Sequence, residues 1–88
     1  MDISGATNDR FHRMTGRPVK RSLTLRGHRT SVSLEDAFWD AFRAIAARDN
    51  QTINGLAAQI DAARQDVGLA SAMRLFVLSD LQAQIQSS

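Results

Sequence analysis

The sequence predicts a mainly α-helical fold carrying a short β-ribbon, and three observations point there. Residues 20–34 alternate apolar and polar side chains, residues 35–64 carry two helical apolar stripes separated at Asn50, and residues 70–85 are apolar on nearly every side. At 88 residues the chain has room for one domain.

Residues 1–19 mix Gly, Ser, Thr, Asn, Asp and Arg with few large apolar groups, and Pro18 closes them. They predict a flexible basic arm ahead of a domain at 20–88. Beyond the arm, Leu23 and Leu25 occupy odd positions, whereas Thr30, Val32 and Leu34 occupy even ones. Strand side chains alternate with a period of two, so one unbroken strand cannot put all five on one face. A two-residue turn at Gly27-His28 repairs the mismatch, with glycine at the first central position as a type II′ turn requires. Strands at 21–26 and 29–34 follow, setting Arg26 opposite Arg29, Leu25 opposite Thr30 and Leu23 opposite Val32. One face is then apolar. The other carries Ser22, Thr24, Arg26, Arg29, Ser31 and Ser33.

The first helix is expected over 35–48, where Phe38, Trp39, Phe42, Ile45 and Ala46 recur at helical spacing on one stripe. Ser33 with Asp36 three residues on resembles a capping box, and Glu35 and Asp36 suit the positive end of the helix dipole. Asp49-Asn50 ends this helix, because Asn tolerates the left-handed conformation found just past a helix. Thr52 caps a second helix over 53–64, with Ile53, Leu56, Ala57 and Ile60 as its stripe. Gly55 in its first turn costs about 1 kcal/mol of helix propensity and would allow another backbone to approach closely. A third helix over 70–85 holds Met73, Leu75, Phe76, Val77, Leu78, Leu81 and Ile85. Apolar nearly all round, it should be covered by the helix pair and by a second subunit.

Charge is unevenly spread. Arg10, Arg13, Arg17, Lys20, Arg21, Arg26 and Arg29 face only Asp2 and Asp9 in residues 1–30, while the remainder is mildly acidic, within a net charge of +2. A basic front on an acidic body suits a polyanion, although a solvated basic tail has the same composition. The chain has no cysteine, and its histidines, His12 and His28, lack neighbouring ligands, so no metal, cofactor or disulfide is expected. No paired acids or Ser-His-Asp set suggests catalysis. Without a staple, so small a core calls for oligomerisation. Neither a signal peptide nor a stretch of the roughly 18–20 apolar residues that span a membrane is present, which predicts a cytoplasmic protein.

The alternating strand ending at Leu34, the helix with Phe38, Trp39, Phe42 and Ile45, the turn at Asn50 and the helix capped by Thr52 resemble the ribbon-helix-helix superfamily of Arc and MetJ-type bacterial repressors. More narrowly, residues 20–80 are similar to short bacterial proteins, presumed DNA-binding, that share the opening Lys-Arg-Ser-Leu-Thr-Leu-x-Gly-His-Arg-Thr-Ser-Val-Ser-Leu-Glu. The resemblance implies a ribbon-helix-helix fold with an extra N-terminal strand and a third C-terminal helix, intertwined as a homodimer. In that superfamily two chains pair their strands into a ribbon that enters the major groove of double-stranded DNA. Carried over, Arg29, Ser31 and Ser33 would contact bases, with Arg29 the strongest discriminator because it can donate two hydrogen bonds to guanine. Thr52, Ile53 and Asn54 would hold phosphate at the start of the second helix, aided by Arg17, Lys20, Arg21 and Arg26. Val32, Leu34, Phe38, Trp39, Phe42, Ile45, Leu56 and Ile60 would form the dimer core. Against these roles, Ser31 and Ser33 also suit a plain solvent face, Ser33 and Thr52 suit caps, and the spacing of Trp39 makes it core rather than a nucleic-acid contact.

One departure stands out. The strand at 21–26 would widen a two-chain ribbon to four strands, about 14 Å between outer axes, against a groove about 12 Å wide. Repulsion between Arg26 and Arg29 would also strain such a hairpin unless anions lay between them. A dimeric scaffold that binds another protein is therefore a second reading. An antitoxin is a third and fits less well, because the C-terminal segment reads as buried helix rather than free tail.

Overall fold

The computed structural model describes residues 16–87, in which the chain runs β1 (Val19–Leu25), β2 (His28–Leu34), α1 (Asp36–Arg48), α2 (Ile53–Ala63) and α3 (Leu69–Ser87). Most of the expected arm, residues 1–15, lies outside the described residues. The two strands form an antiparallel hairpin whose apolar face lies on the helices.

Alternation dictates the hairpin, but its turn sits one residue earlier than expected. Arg26 and Gly27 occupy the turn with φ of 52° and 85°, both positive, as a type I′ turn demands. The register is Leu25 with His28, Thr24 with Arg29, Leu23 with Thr30 and Ser22 with Ser31. The strands accordingly span 19–25 and 28–34 rather than 21–26 and 29–34. Moving a two-residue turn by one position slides the register by two, so every side chain keeps its face. Leu23, Leu25, Val32 and Leu34 are buried together. Arg29 stands opposite Thr24, not Arg26, so the expected crowding of those two arginines at a paired position does not arise.

The start of α1 also differs from expectation. Ser33 still belongs to β2, and the helix is capped at Glu35 without a side-chain hydrogen bond. Its end follows the reading: Asn50 is left-handed at φ 57°, and the N–H groups of Asn50 and Gln51 return to the carbonyls of Ala47 and Ala46. This is a Schellman closure. At the start of α2, Thr52 Oγ1 accepts from Gly55 N at 2.9 Å. A Cβ on Gly55 would stand 2.9 Å from that same oxygen, so glycine makes room for the cap rather than for another backbone.

The elements of the chain pack on one another around a core. Leu34, Trp39, Phe42, Met73 and Val77 are almost completely covered, and Phe42 meets Phe76 edge to face at 6.3 Å. Of the eight residues expected at a dimer core, Val32, Leu34, Trp39, Phe42, Ile45, Leu56 and Ile60 are buried inside this single chain, with Phe38 partly so. The strand β2 has β1 along one edge and α3 beneath it.

Burial of α3 is one-sided. Met73 and Val77 face inward, whereas Leu75, Leu78, Leu81 and Ile85 are 55%, 48%, 45% and 74% exposed. At 100° per residue these four fall on one stripe of about 120°, centred about 120° around the helix from Met73 and Val77. Two apolar stripes on one helix explain why its sequence looked apolar all round. The C-terminal turns, read as buried, are exposed from Leu81 onward through Gln86.

Among the described residues, two ion pairs hold α3 to the rest. Arg74 Nε and Nη2 donate to Glu35 at 2.9 and 3.2 Å, and Arg48 donates to Asp80 at 2.8 and 3.1 Å. Hydrogen bonds from the arginines hold the Glu35 and Asp80 carboxyls below their ordinary range.

Candidate nucleic-acid interface

The polar face of the hairpin follows from its register. Lys20 pairs with Ser33, Ser22 with Ser31, and Thr24 with Arg29, and alternation turns all six away from the helices. Five of them are exposed; Ser33 is half-buried. Arg29 and Ser31 are thus free to meet a ligand, each with a hydroxyl-bearing neighbour on β1. Ser33 is less open, because its carbonyl receives Arg74 Nη2 at 3.4 Å beside the Glu35 pair.

The start of α2 lies at the free edge of β1. In a two-residue hairpin Leu25 and His28 form a hydrogen-bonded pair, so the Thr24 N–H points away from β2. It donates to Asn54 Oδ1 at 3.1 Å. Within the first turn of α2, Leu56 N donates to Thr52 O and Gly55 N to Thr52 Oγ1. The N–H groups of Ile53 and Asn54 are left without an intrahelical acceptor, at the positive end of the helix dipole.

These groups border a cleft of about 330 Å³ lined by Arg21, Ser22, Leu23, Trp39, Arg43, Thr52, Ile53 and Asn54. Arg21 lies over the Trp39 ring, its Cζ 5.8 Å from the centroid. Trp39 itself is buried and donates Nε1–H to the Val19 carbonyl at 2.9 Å. Of the residues expected at phosphate, Arg21, Thr52, Ile53 and Asn54 therefore come together. Lys20 stands on the sheet face, Arg17 precedes β1, and Arg26 is at the turn, beside a second cleft of about 440 Å³ shared with His28, Arg29 and Arg64. Asn54 Oδ1 is committed to Thr24, which leaves the backbone N–H and the side-chain amide N–H groups of Asn54 as donors to a ligand.

Arg43 was missed by sequence reasoning. It pairs with Asp40 at 2.7 Å and adds a second guanidinium to the first cleft. Its signal was available: Arg43 follows Trp39 by four residues, one turn along the same side of α1.

Among the described residues no group of His, Asp or Glu is arranged to hold a metal ion. No helix among them is long and apolar enough to cross a membrane.

Comparison with known proteins agrees with this geometry. The chain is similar in structure to an uncharacterized protein from Bordetella pertussis Tohama I, with a TM-score of 0.74 and 27% identity over 99% of this chain and 74% of that one. None of the curated proteins matches. The ribbon-helix-helix domain family matches residues 18–81. Proteins of that fold generally bind DNA as dimers and are typically not enzymes. Strand, helix, Asn50 turn and capped second helix all lie inside the matched span, and the chain belongs to the ribbon-helix-helix domain family.

Proposed function

We propose that this protein binds double-stranded DNA and regulates transcription, acting in the cytoplasm as a repressor without a cofactor. The observation that carries the proposal is the joining of two surfaces by one hydrogen bond. A polar sheet face bearing Arg29 and Ser31 is tied, through Thr24 and Asn54, to an anion-accepting helix start flanked by Arg21 and Arg43. Arg29 and Ser31 reach base edges, with Ser33 peripheral. The Ile53 and Asn54 N–H groups, Thr52 and Arg21 receive phosphate, and Arg17, Lys20 and Arg26 add charge around them.

Homodimerisation belongs to the same proposal on new grounds. The outward stripe of Leu75, Leu78, Leu81 and Ile85 is what a second copy would cover. The same stripe favours the scaffold reading, in which another protein covers it and DNA does not bind.

Fluorescence anisotropy on a labelled random-sequence duplex separates the two. DNA binding should weaken steeply between about 50 and 200 mM salt, and Arg21→Ala should flatten the slope. No measurable binding at low salt would leave the scaffold reading in place.

A further inference from the structure

The second cleft, between the hairpin tip, α2 and the start of α3, has a chemistry of its own. Arg26 stands at the first central position of the turn with a left-handed backbone, φ 52°. A type I′ turn favours Asn, Asp or Gly there, because the Cβ of other residues crowds the carbonyl that follows. Arginine is a strained choice for the turn, and strain of this kind points to a task for the side chain. Arg26, Arg29 and Arg64 together border about 440 Å³ of open space. Arg64 is braced on both sides. Its Nε donates to Asp61 at 2.7 Å and its Nη1 to the Val67 carbonyl at 2.9 Å, which fixes the planar head and leaves Nη2 to donate elsewhere. Neither Arg26 nor Arg29 has an ion pair among the described residues. Three arginines thus face one carboxylate, Asp61, over a floor of buried Leu25 with half-buried Ala58 and Leu69. We propose that this cleft binds a small organic phosphate monoester, and that the bound ester weakens DNA binding by engaging Arg29. This rests on the DNA-binding reading above.

Shape and chemistry select the ligand. The guanidinium fork matches phosphate oxygens two at a time. Space of this size is that of a small organic ligand rather than a bare ion, and the apolar floor suits its organic part. A free ester fits better than a DNA phosphate, because Leu25 and Ala58 belong to the helix side of the hairpin, away from its polar face. Arg29 links the two surfaces. It stands on the polar face opposite Thr24 and also borders the cleft. One guanidinium cannot fork onto the ester and onto guanine at once. Ester and DNA therefore compete for it, and by linkage each lowers the affinity of the other by the same factor.

The test uses the full chain and two probes, inorganic phosphate and phenyl phosphate, each exchanged for chloride at fixed ionic strength so that screening of DNA stays constant. Without DNA, amide shifts at Arg26, Arg29, Arg64 and Leu69 should titrate to saturation, and phenyl phosphate should bind several-fold tighter than inorganic phosphate. Saturating phenyl phosphate should then lower duplex affinity, read by fluorescence anisotropy, roughly tenfold. Arg64→Gln should abolish that inhibition and leave duplex affinity in chloride unchanged. Weaker duplex binding by Arg64→Gln in chloride would place a DNA phosphate in the cleft and overturn the inference. Arg26→Asn, which suits the turn better, should raise the urea midpoint and weaken phenyl phosphate binding roughly tenfold. A lower midpoint with unchanged affinity overturns the inference as well. So do shifts confined to Ile53 and Asn54, equal affinity for the two probes, no saturable shift, or saturable binding that leaves duplex affinity unaltered. Each of these results leaves DNA binding standing. If no duplex binds in chloride at low salt, the DNA-binding reading falls and this inference falls with it.

Discussion

Asn54, in the first turn of α2, accepts a hydrogen bond from the Thr24 N–H at 3.1 Å, across thirty residues of sequence. One side chain thus ties the edge of the ribbon to the start of the helix that offers its N–H groups to an anion. Asn54→Ala should cost about 1 kcal/mol of stability and speed amide exchange at Thr24 before its neighbours Leu23 and Leu25. Unchanged exchange at Thr24 would show that the two surfaces are held together by packing alone.

The cap of α2 supplies a sharper test. Thr52→Ala removes the bond to Gly55 and should destabilise by about 1 kcal/mol. Gly55→Ala improves helix propensity by about the same amount, but its Cβ would stand 2.9 Å from Thr52 Oγ1. It should therefore fail to stabilise the parent and should stabilise the Thr52→Ala background. Equal effects of Gly55→Ala in both backgrounds, measured by urea unfolding, would refute the steric account.

Acid should weaken the docking of α3. Glu35 and Asp80 have ordinary values of 4.5 and 3.8, and both are lowered in the fold by arginine hydrogen bonds. A carboxyl with a depressed folded pKa contributes stability above its unfolded value, and that contribution is lost as pH falls through the folded one. The urea midpoint should hold from neutrality down to about pH 5 and decline below about pH 4. Asp80→Asn should lower the midpoint at pH 7 and shrink the acid decline. A full-sized acid decline in that variant would move the cause elsewhere.

The two sides of α3 should respond differently to truncation. Met73 is fully buried, so Met73→Ala should cost about 2–5 kcal/mol. Leu78 is 48% exposed, and Leu78→Ala should change the stability of an isolated chain by less than about 1 kcal/mol. If a second copy covers the stripe, Leu78→Ala also lowers the molecular mass seen by light scattering at a given concentration. A mass of one chain in both proteins, even at high concentration, would count against self-association.

How far the fold was legible depended on what periodicity encodes. The parity of Leu23 and Leu25 against Thr30, Val32 and Leu34 revealed the hairpin and both its faces. It could not choose between Arg26-Gly27 and Gly27-His28, because either turn keeps every side chain on its face. Glycine at the second central position was the better sign, since a type I′ turn needs positive φ there as well. Ser33 passed for a cap only because strand and helix abut without a loop, and Leu34 still belongs to the strand. Asn50 and Thr52 were legible because each acts through its own local backbone. The stripes of α3 were not separable, because an apolar helix does not declare which side the chain covers and which it leaves out. Nor does a core composition count chains: the residues expected at a dimer core are buried already by the elements of this chain. At the site, Thr52, Ile53 and Asn54 were readable as a helix start, and Arg43 was legible as the residue one turn beyond Trp39, though only the packing of α1 against the hairpin brings it to them.

The central claim is that the polar face of the hairpin and the start of α2 form one DNA-binding surface. Amide chemical-shift changes on titration with a short duplex test it most directly, alongside Arg29→Ala, which should cost about 1–3 kcal/mol at a preferred site and blur its sequence preference. The largest shifts should fall on Ser22, Thr24, Arg29, Ser31, Ile53 and Asn54, with the Leu75, Leu78, Leu81 and Ile85 amides unmoved. Shifts confined to the outward stripe of α3, or none at all at low salt, would contradict the account.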